Sequence, residues 1–142
     1  MSRSANALRA AAWGCVVLLL ILSWTPGDEM IRTGIGGHIE HSVAYTGAAI
    51  IIALAYAGRF GLGAVLVCLA AYAGLMEVGQ HFVPGRQSSP WDYLSSVSGV
   101  AIGGTLYASA RRWRDGRRDG GRRFRLDMRS TNVAADDSGE VR

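Results

Sequence analysis

The segment from 43 to 76, VAYTGAAIIIALAYAGRFGLGAVLVCLAAYAGLM, decides the fold, because it joins two long apolar runs through a short break. Arg59 is its only charged residue. Each run, with its flanks, approaches the roughly 20 residues that a helix needs to cross about 30 Å of hydrocarbon. The break, Gly58-Arg59-Phe60-Gly61, is too short for anything but a tight turn. The segment therefore predicts an antiparallel pair of transmembrane helices.

Two further apolar runs lie outside this pair, and they extend the same pattern. There is no charged residue between Ala10 and Ile21 or between Tyr93 and Ala110, and 49% of the chain is hydrophobic. Such long uncharged runs are typical of polytopic membrane proteins. We therefore predict an all-α membrane protein with four transmembrane helices, at about 8–24, 38–57, 61–83 and 91–110.

Proline and glycine mark the expected helix ends. Pro26-Gly27 follows the first run, and Pro84-Gly85 follows the third. Ser88-Ser89-Pro90 resembles a helix cap followed by proline at an early helical position, with either serine as the cap. The first run is also preceded by arginines, but Ser23-Trp24-Thr25 is a poor cleavage site, so an uncleaved span is expected.

The basic residues predict the orientation in the membrane. All 15 are arginine, so lysine-dependent Schiff-base chemistry and a Walker-type phosphate lysine are excluded. Nine arginines fall between Arg111 and Arg129, and Arg3 and Arg9 precede the first run. The positive-inside rule then predicts cytoplasmic N- and C-termini, and outward-facing loops at 25–37 and 84–90.

The chain is expected to divide into a membrane domain at 1–110 and a cytoplasmic tail at 111–142. The tail is basic and then acidic and lacks apolar periodicity, so disorder is expected. Its arginines, from Arg111 to Arg129, are expected to contact anionic lipid headgroups, a partner that their place beside the membrane favours over nucleic acid.

Small residues inside the spans predict how the helices pack. Gly99 and Gly103 form a small-xxx-small pair, which lets helix backbones approach closely in lipid. Packing inside the bundle is favoured here over dimerisation. Cys15 and Cys68 lie in separate apolar runs, so we expect packing residues rather than a disulfide framework or a metal site.

Polar side chains occur unexpectedly at three of the helix ends. Helical positions three and four apart share a face, so each set forms one stripe. With the predicted topology, all three stripes lie at the outward end and can face one another. The three stripes are His38, His41 and Tyr45; Glu77, Gln80 and His81; and Asp92, Ser95 and Ser96.

Glu77 is an ionisable residue placed well inside the third predicted span. It is expected about 8–10 Å below the interface, at 1.5 Å of rise per residue, where a carboxyl group needs a partner. Without a close cation it would be a candidate acid or base near neutral pH, whereas a bidentate contact with Arg86 would keep it ionised. The candidate catalytic residues are Glu77, His41 and Asp92; the candidate substrate-binding residues are Arg86, Gln80, Tyr45, His81, Ser96 and His38.

The motif Glu77-x2-Gln80-x-Phe82-x-Pro84-Gly85-Arg86, followed by Asp92 and Gly99, resembles the signature of VanZ-like membrane proteins. His41-x3-Tyr45 looks like that family's His and Tyr motif, and the resemblance covers about residues 15–110. Two positions depart from the pattern, since Ser96 stands where asparagine is common and His38 where lysine is frequent. The resemblance implies a small four-helix protein of the bacterial inner membrane, and the namesake of the family is associated with resistance to the glycopeptide teicoplanin.

Several functions are compatible with this cluster. We favour a site that binds or modifies the headgroup of a lipid-linked or cell-envelope molecule, with no cofactor. The main alternative is a non-catalytic structural or interaction protein, in which the polar groups only tie helices together. A proton-coupled transporter is a lower alternative, because one copy offers no inverted repeat. A metal site is also disfavoured, because His-x3-His spacing within one helix is absent.

Overall fold

A computed structural model of the chain describes residues 3–26, 36–86 and 89–137, with side chains described up to residue 121. These ranges are mostly helical and contain no strand, which confirms the all-α class. Three of the helices, α1 to α3, are long and apolar enough to cross a membrane. The helices are α1 at Arg3–Trp24, α2 at Gly37–Phe60, α3 at Leu62–Gln80 and α4 at Pro90–Asp137.

The predicted turn between α2 and α3 is confirmed, and it is shorter than the sequence suggests. Gly58, Arg59 and Phe60 complete α2, so Gly61 alone joins the two helices. Gly61 has φ of 83°, a conformation that favours glycine, and its N–H donates to the Ala57 carbonyl at 3.0 Å. Arg59 lies in the last turn of α2, where a cation interacts favourably with the helix dipole.

The connection from α3 to α4 begins earlier than expected, because α3 ends at Gln80. The next N–H groups bond to carbonyls three residues back, as in Phe82 to Gly79 at 3.0 Å, which tightens the chain into turns. Ser89 is the capping residue: its Oγ accepts from the Trp91 N–H at 3.3 Å, and Pro90 is the first helical position.

α4 continues well beyond residue 110, where the sequence predicts the end of the fourth helix. Residues 111–137 are helical, so the structure differs from the disorder expected from residue 111, and residues 138–142 lie outside the described ranges. Arginine is a good helix former, and pairs one turn apart support the helix. Arg111 Nε lies 3.8 Å from Asp115 Oδ2, and Arg117 stacks on Trp113.

α2 and α4 approach each other more closely than ordinary side chains would allow. A Cβ added at Gly103 would lie 2.6 Å from the Thr46 carbonyl oxygen, and one added at Gly99 would lie 3.0 Å from the Ser42 carbonyl carbon. Thr46 Oγ1 is within hydrogen-bond distance of the Gly99 carbonyl, at 3.1 Å. The glycine pair therefore packs inside the bundle, as predicted.

The remaining contacts give the direction of each helix. Tyr72 of α3 donates its hydroxyl to the Val16 carbonyl of α1 at 2.8 Å, and Gly79 lies against Trp24, so α1 and α3 are parallel. Tyr93 lies at the start of α4, and Gly74 lies near the end of α3. The Tyr93 ring would be 3.4 Å from a Cβ added at Gly74. α4 is therefore antiparallel to α3 and parallel to α2.

The core of the bundle consists mainly of small and aliphatic side chains, whereas many large apolar side chains lie on its surface. Val43, Val67 and Leu75, for example, are exposed. Such a surface is unusual in water and suits the hydrocarbon of a membrane. Cys68 is also exposed, so the packing role expected for it is wrong, whereas Cys15 packs against the core. The core residues are Leu19, Tyr45, Ala48, Ala49, Leu69, Ala73 and Val100.

The close contact predicts that Gly99→Ala destabilises the bundle. The added methyl group would press on the Ser42 backbone, and overpacking of this kind costs about 1–3 kcal/mol. Gly47→Ala is the matched control, because nothing lies within 4 Å of a Cβ there. Unfolding of the detergent-solubilised chain by titration with dodecyl sulfate measures both. Equal midpoints for the two variants would contradict the close approach of α2 and α4.

Candidate functional site

Four helix ends meet at one end of the bundle, which we call the polar end. It is formed by the C-terminal ends of α1 and α3 and by the N-terminal ends of α2 and α4. The contact of Gly79 with Trp24 joins the first two, and a hydrogen bond between His38 Nδ1 and Asp92 Oδ1 joins the other two. The stripes predicted from the sequence therefore lie at the same end of the bundle.

His38 and Asp92 form a partly exposed pair at the polar end. His38 Nδ1 lies 2.8 Å from Asp92 Oδ1, with 60% of the His38 side chain and 18% of the Asp92 side chain exposed. Asp92 is in the first turn of α4, where a carboxylate is favoured by the helix dipole. A carboxylate on Nδ1 fixes the ring and leaves Nε2 as the nitrogen directed away from the pair.

His41 and Ser96 lie one turn deeper between the same helices. The Ser96 hydroxyl is buried and lies 2.9 Å from the Asp92 carbonyl of its own helix, to which it donates. It is 3.5 Å from His41 Nδ1, at the outer limit of a hydrogen bond. Because the hydroxyl proton is directed to the Asp92 carbonyl, His41 Nδ1 is the donor in any bond with Ser96.

Glu77 bonds to the backbone at the start of α4. Its Oε1 accepts the Ser89 N–H at 2.5 Å, and its side chain is half-buried. The N-terminal N–H groups of a helix have no partner within the helix, so a carboxylate there satisfies a donor and interacts favourably with the dipole. Glu77 is thus held by α4. The sequence did not reveal Ser89 as its partner.

Arg86 bonds to the C-terminal end of α1. Its Nη1 donates to the Leu22 carbonyl at 2.8 Å and also to the Ser23 carbonyl. The last carbonyls of a helix lack partners within the helix and carry a partial negative charge, so a guanidinium group is a suitable partner. These bonds tie the loop after α3 to α1. A role for Arg86 in binding an anion stays a prediction.

The other predicted site residues occupy different depths. Tyr45 is buried in the core of the bundle. Gln80 is buried at the end of α3. His81 is exposed and meets the Phe82 ring edge-on, with 6.1 Å between ring centroids. The described contacts therefore place His38–Asp92, His41–Ser96 and Glu77–Ser89 as separate pairs, with most of the His38 side chain exposed.

Two polar residues of α2 were missed by the sequence reasoning. Ser42 Oγ lies 3.5 Å from Ser98 Oγ, and the Thr46 hydroxyl reaches both the Ser42 and the Gly99 carbonyls. The available signal was their spacing of four residues, which matches the spacing of Gly99 and Gly103. These bonds lie beneath the titratable pairs and hold α2 on α4.

Among the described residues, no group of three or more His, Cys, Asp or Glu side chains is arranged to hold a metal ion. The two histidine contacts instead pair one ring each with Asp92 and Ser96. The His38–Asp92 pair can therefore present an oriented imidazole at the surface. The His41–Ser96 pair below it can donate or accept single hydrogen bonds.

The chain was compared with known proteins at the levels of family, sequence and structure. No family model, no curated protein and no solved structure matches it. The assignment of function therefore depends on the chemistry of the polar end, since a helical bundle alone supports many functions.

The Glu77–Ser89 bond predicts different effects for two substitutions. Glu77→Ala leaves the Ser89 N–H without its acceptor, which costs about 1–3 kcal/mol of folding stability when the group is buried. Glu77→Gln keeps an Oε1 acceptor and removes only the ionisable group, so its stability is expected to stay near that of the parent. Unfolding midpoints in detergent measure both. Equal loss in the two variants would show that the charge, and not the acceptor, holds the turn.

Proposed function

We propose that the chain is a four-span protein of the bacterial inner membrane whose polar end faces outward. The three apolar helices and the exposed apolar surface support membrane insertion. Arg3 and Arg9 near the start of α1, Arg59 at the end of α2 and the arginines after residue 110 support cytoplasmic termini. With an even number of spans, the polar end then lies on the opposite side of the membrane from the termini.

The aromatic residues of α4 support a fourth span. Trp91 and Trp113 flank the uncharged run, and Trp91 is exposed at the start of the helix. Tryptophan is enriched at both membrane interfaces. As a helix, the interval between them would rise about 33 Å, close to the thickness of the hydrocarbon core.

This topology is testable with single cysteines in a chain whose Cys15 and Cys68 are replaced by alanine. Cysteines at Ser2 and Ser138 are expected to react with an impermeant maleimide only after the inner membrane is opened. A cysteine at Gly85 is expected to react in intact spheroplasts. Labelling of Ser138 and Gly85 from the same side would contradict a fourth span.

The function that we propose for the polar end is binding of the headgroup of a lipid-linked cell-envelope molecule. The observation that carries this proposal is the His38–Asp92 pair, an oriented imidazole that remains 60% exposed at the end of an apolar bundle. Phe82 and Trp91 are exposed beside the same helix ends. An imidazole donor and exposed rings at the same end of the bundle suit a ligand with an anionic headgroup and an apolar chain.

Binding and modification of the ligand would use different residues. His38 would donate to the headgroup, with Arg86 and Gln80 as further donors if the loop after α3 rearranges. Proton transfer would fall to Glu77 and Asp92, with His41 as the proton carrier. The resemblance of Glu77 to Asp92 to the VanZ-like signature supports an envelope role, and sensitivity to glycopeptide antibiotics is the corresponding phenotype to examine.

A purely structural role is the second candidate, and two contacts favour it. Glu77 and Arg86 are both charged residues of the predicted site. Glu77 accepts from the Ser89 N–H at the start of α4, and Arg86 donates to the Leu22 carbonyl at the end of α1. Polar side chains used in this way stabilise a bundle without any ligand. In this case substitutions at the polar end would change stability alone.

Lipid titration of the full chain in phosphatidylcholine nanodiscs separates these candidates. By native mass spectrometry, we expect a preference for polyprenyl phosphate over phosphatidylglycerol. His38→Ala is expected to lower that preference about tenfold or more, the effect of losing one hydrogen bond to a charged group. Its folding stability is expected to change little, because exposed ion pairs contribute about 0–1 kcal/mol.

Ser95→Ala is the matched control for this titration. Among the residues that the structure describes, its hydroxyl bonds only to the Trp91 carbonyl of its own helix, at 2.8 Å, so both lipid preference and stability should stay unchanged. Equal binding of the two lipids by the parent chain would overturn the proposed site. Loss of stability without loss of preference in His38→Ala would favour the structural role.

A further inference from the structure

The residues from Arg111 to Gly121, which we call the arginine helix, form an exposed stretch of α4. Their sequence is RRWRDGRRDGG, with five arginines against two aspartates, and every residue in it is exposed. A basic run could neutralise itself with nearby carboxylates or stay available to an external anion. The contacts of the arginine helix decide between these two cases.

Most of the positive charge of the arginine helix is not neutralised within it. Arg111 Nε lies 3.8 Å from Asp115 Oδ2, and both side chains are more than half exposed, so this pair is weak. Within the described part of the chain, Arg112, Arg114 and Arg118 form no ion pair. Arg114 and Arg118 are four residues apart and therefore share a helix face with Arg111.

An exposed tryptophan lies among these arginines. The ring of Trp113 is 61% exposed, and Arg117 Cζ lies 3.9 Å from its centroid. A cation over an indole ring is a favourable contact that keeps both groups at the surface. Tryptophan beside basic residues is typical of helices that contact the interface of a membrane.

Anionic lipid and nucleic acid would both suit a basic helix, and the chain favours lipid. The arginine helix begins directly after the uncharged run from Tyr93 to Ala110, in a chain with three helices able to cross a membrane. Headgroups are then within reach wherever the chain is inserted, whereas nucleic acid would have to be recruited from solution. The exposed ring of Trp113 also favours lipid, because tryptophan is enriched at the membrane interface.

We propose that the arginine helix binds anionic lipid headgroups at the membrane surface. Arg111, Arg114 and Arg118 contribute the charge of one face, and Trp113 contacts the interfacial region beside it. The attraction is electrostatic and falls off within a Debye length, so it depends on lipid charge and on salt. This binding is independent of the site proposed at the polar end.

Hydrogen exchange of the full chain in nanodiscs tests this proposal. Discs of phosphatidylcholine alone are compared with discs in which part of that lipid is replaced by phosphatidylglycerol. We expect amide exchange in peptides covering 111–121 to slow about tenfold or more with the anionic lipid, because each arginine near the surface adds to the attraction. High salt should remove most of the difference.

Charge variants identify the source of the protection. The triple variant Arg111→Gln, Arg114→Gln, Arg118→Gln removes the charge of the proposed face and is expected to lose the slowing, whereas the triple lysine variant at the same positions keeps it. Equal exchange in the two kinds of disc, or slowing that survives in the glutamine variant, would overturn the proposal. Stronger protection by a single-stranded oligonucleotide in phosphatidylcholine discs than by phosphatidylglycerol would identify nucleic acid as the partner instead.

Discussion

The close contact between α2 and α4 is the constraint on which the rest of the structure depends. Gly99 and Gly103 leave room for the backbone at Ser42 and Thr46, and the Thr46 hydroxyl bridges the two helices. Helices in lipid gain little from apolar burial against one another, so close packing and hydrogen bonds must hold them. Because the two helices are parallel, this contact also sets their register at the polar end. It places His38 opposite Asp92.

Backbone groups at helix ends explain most of the other polar contacts. Arg86 bonds to the last carbonyls of α1, and Glu77 accepts an N–H at the start of α4. Helix ends leave such groups without partners, and in a membrane they have little water to bond to. Charged side chains can therefore be placed near the hydrocarbon without a ligand. Because helix ends alone account for both side chains, Glu77 and Arg86 in the 77–86 motif do not by themselves indicate a reactive site.

The helices could be predicted from the sequence, whereas the bonding partners of several polar side chains could not. Uncharged runs and helical spacing predicted the α2–α3 hairpin and the stripe that carries His38 and His41, because both follow from local periodicity. The partner of Arg86 lies 63 and 64 residues away in α1, through a loop whose path no local pattern specifies. The end of α4 was also misplaced, because the end of an apolar run is not the end of a helix when arginine continues it.

The exposure of each pair separates structural contacts from contacts that can serve a ligand. Ser96 is buried, and Thr46 is half-buried where α2 and α4 meet, so their hydrogen bonds contribute to stability wherever water is excluded. His38 is different, because most of its ring is exposed although Asp92 holds it. An exposed pair contributes little to folding, so stability alone gives little reason to orient this imidazole. Within the described ranges, Asp92 is the one partner of this side chain, so Nε2 is left for a molecule outside the bundle. The deeper layer therefore supports the fold, and the outer layer is where recognition is expected.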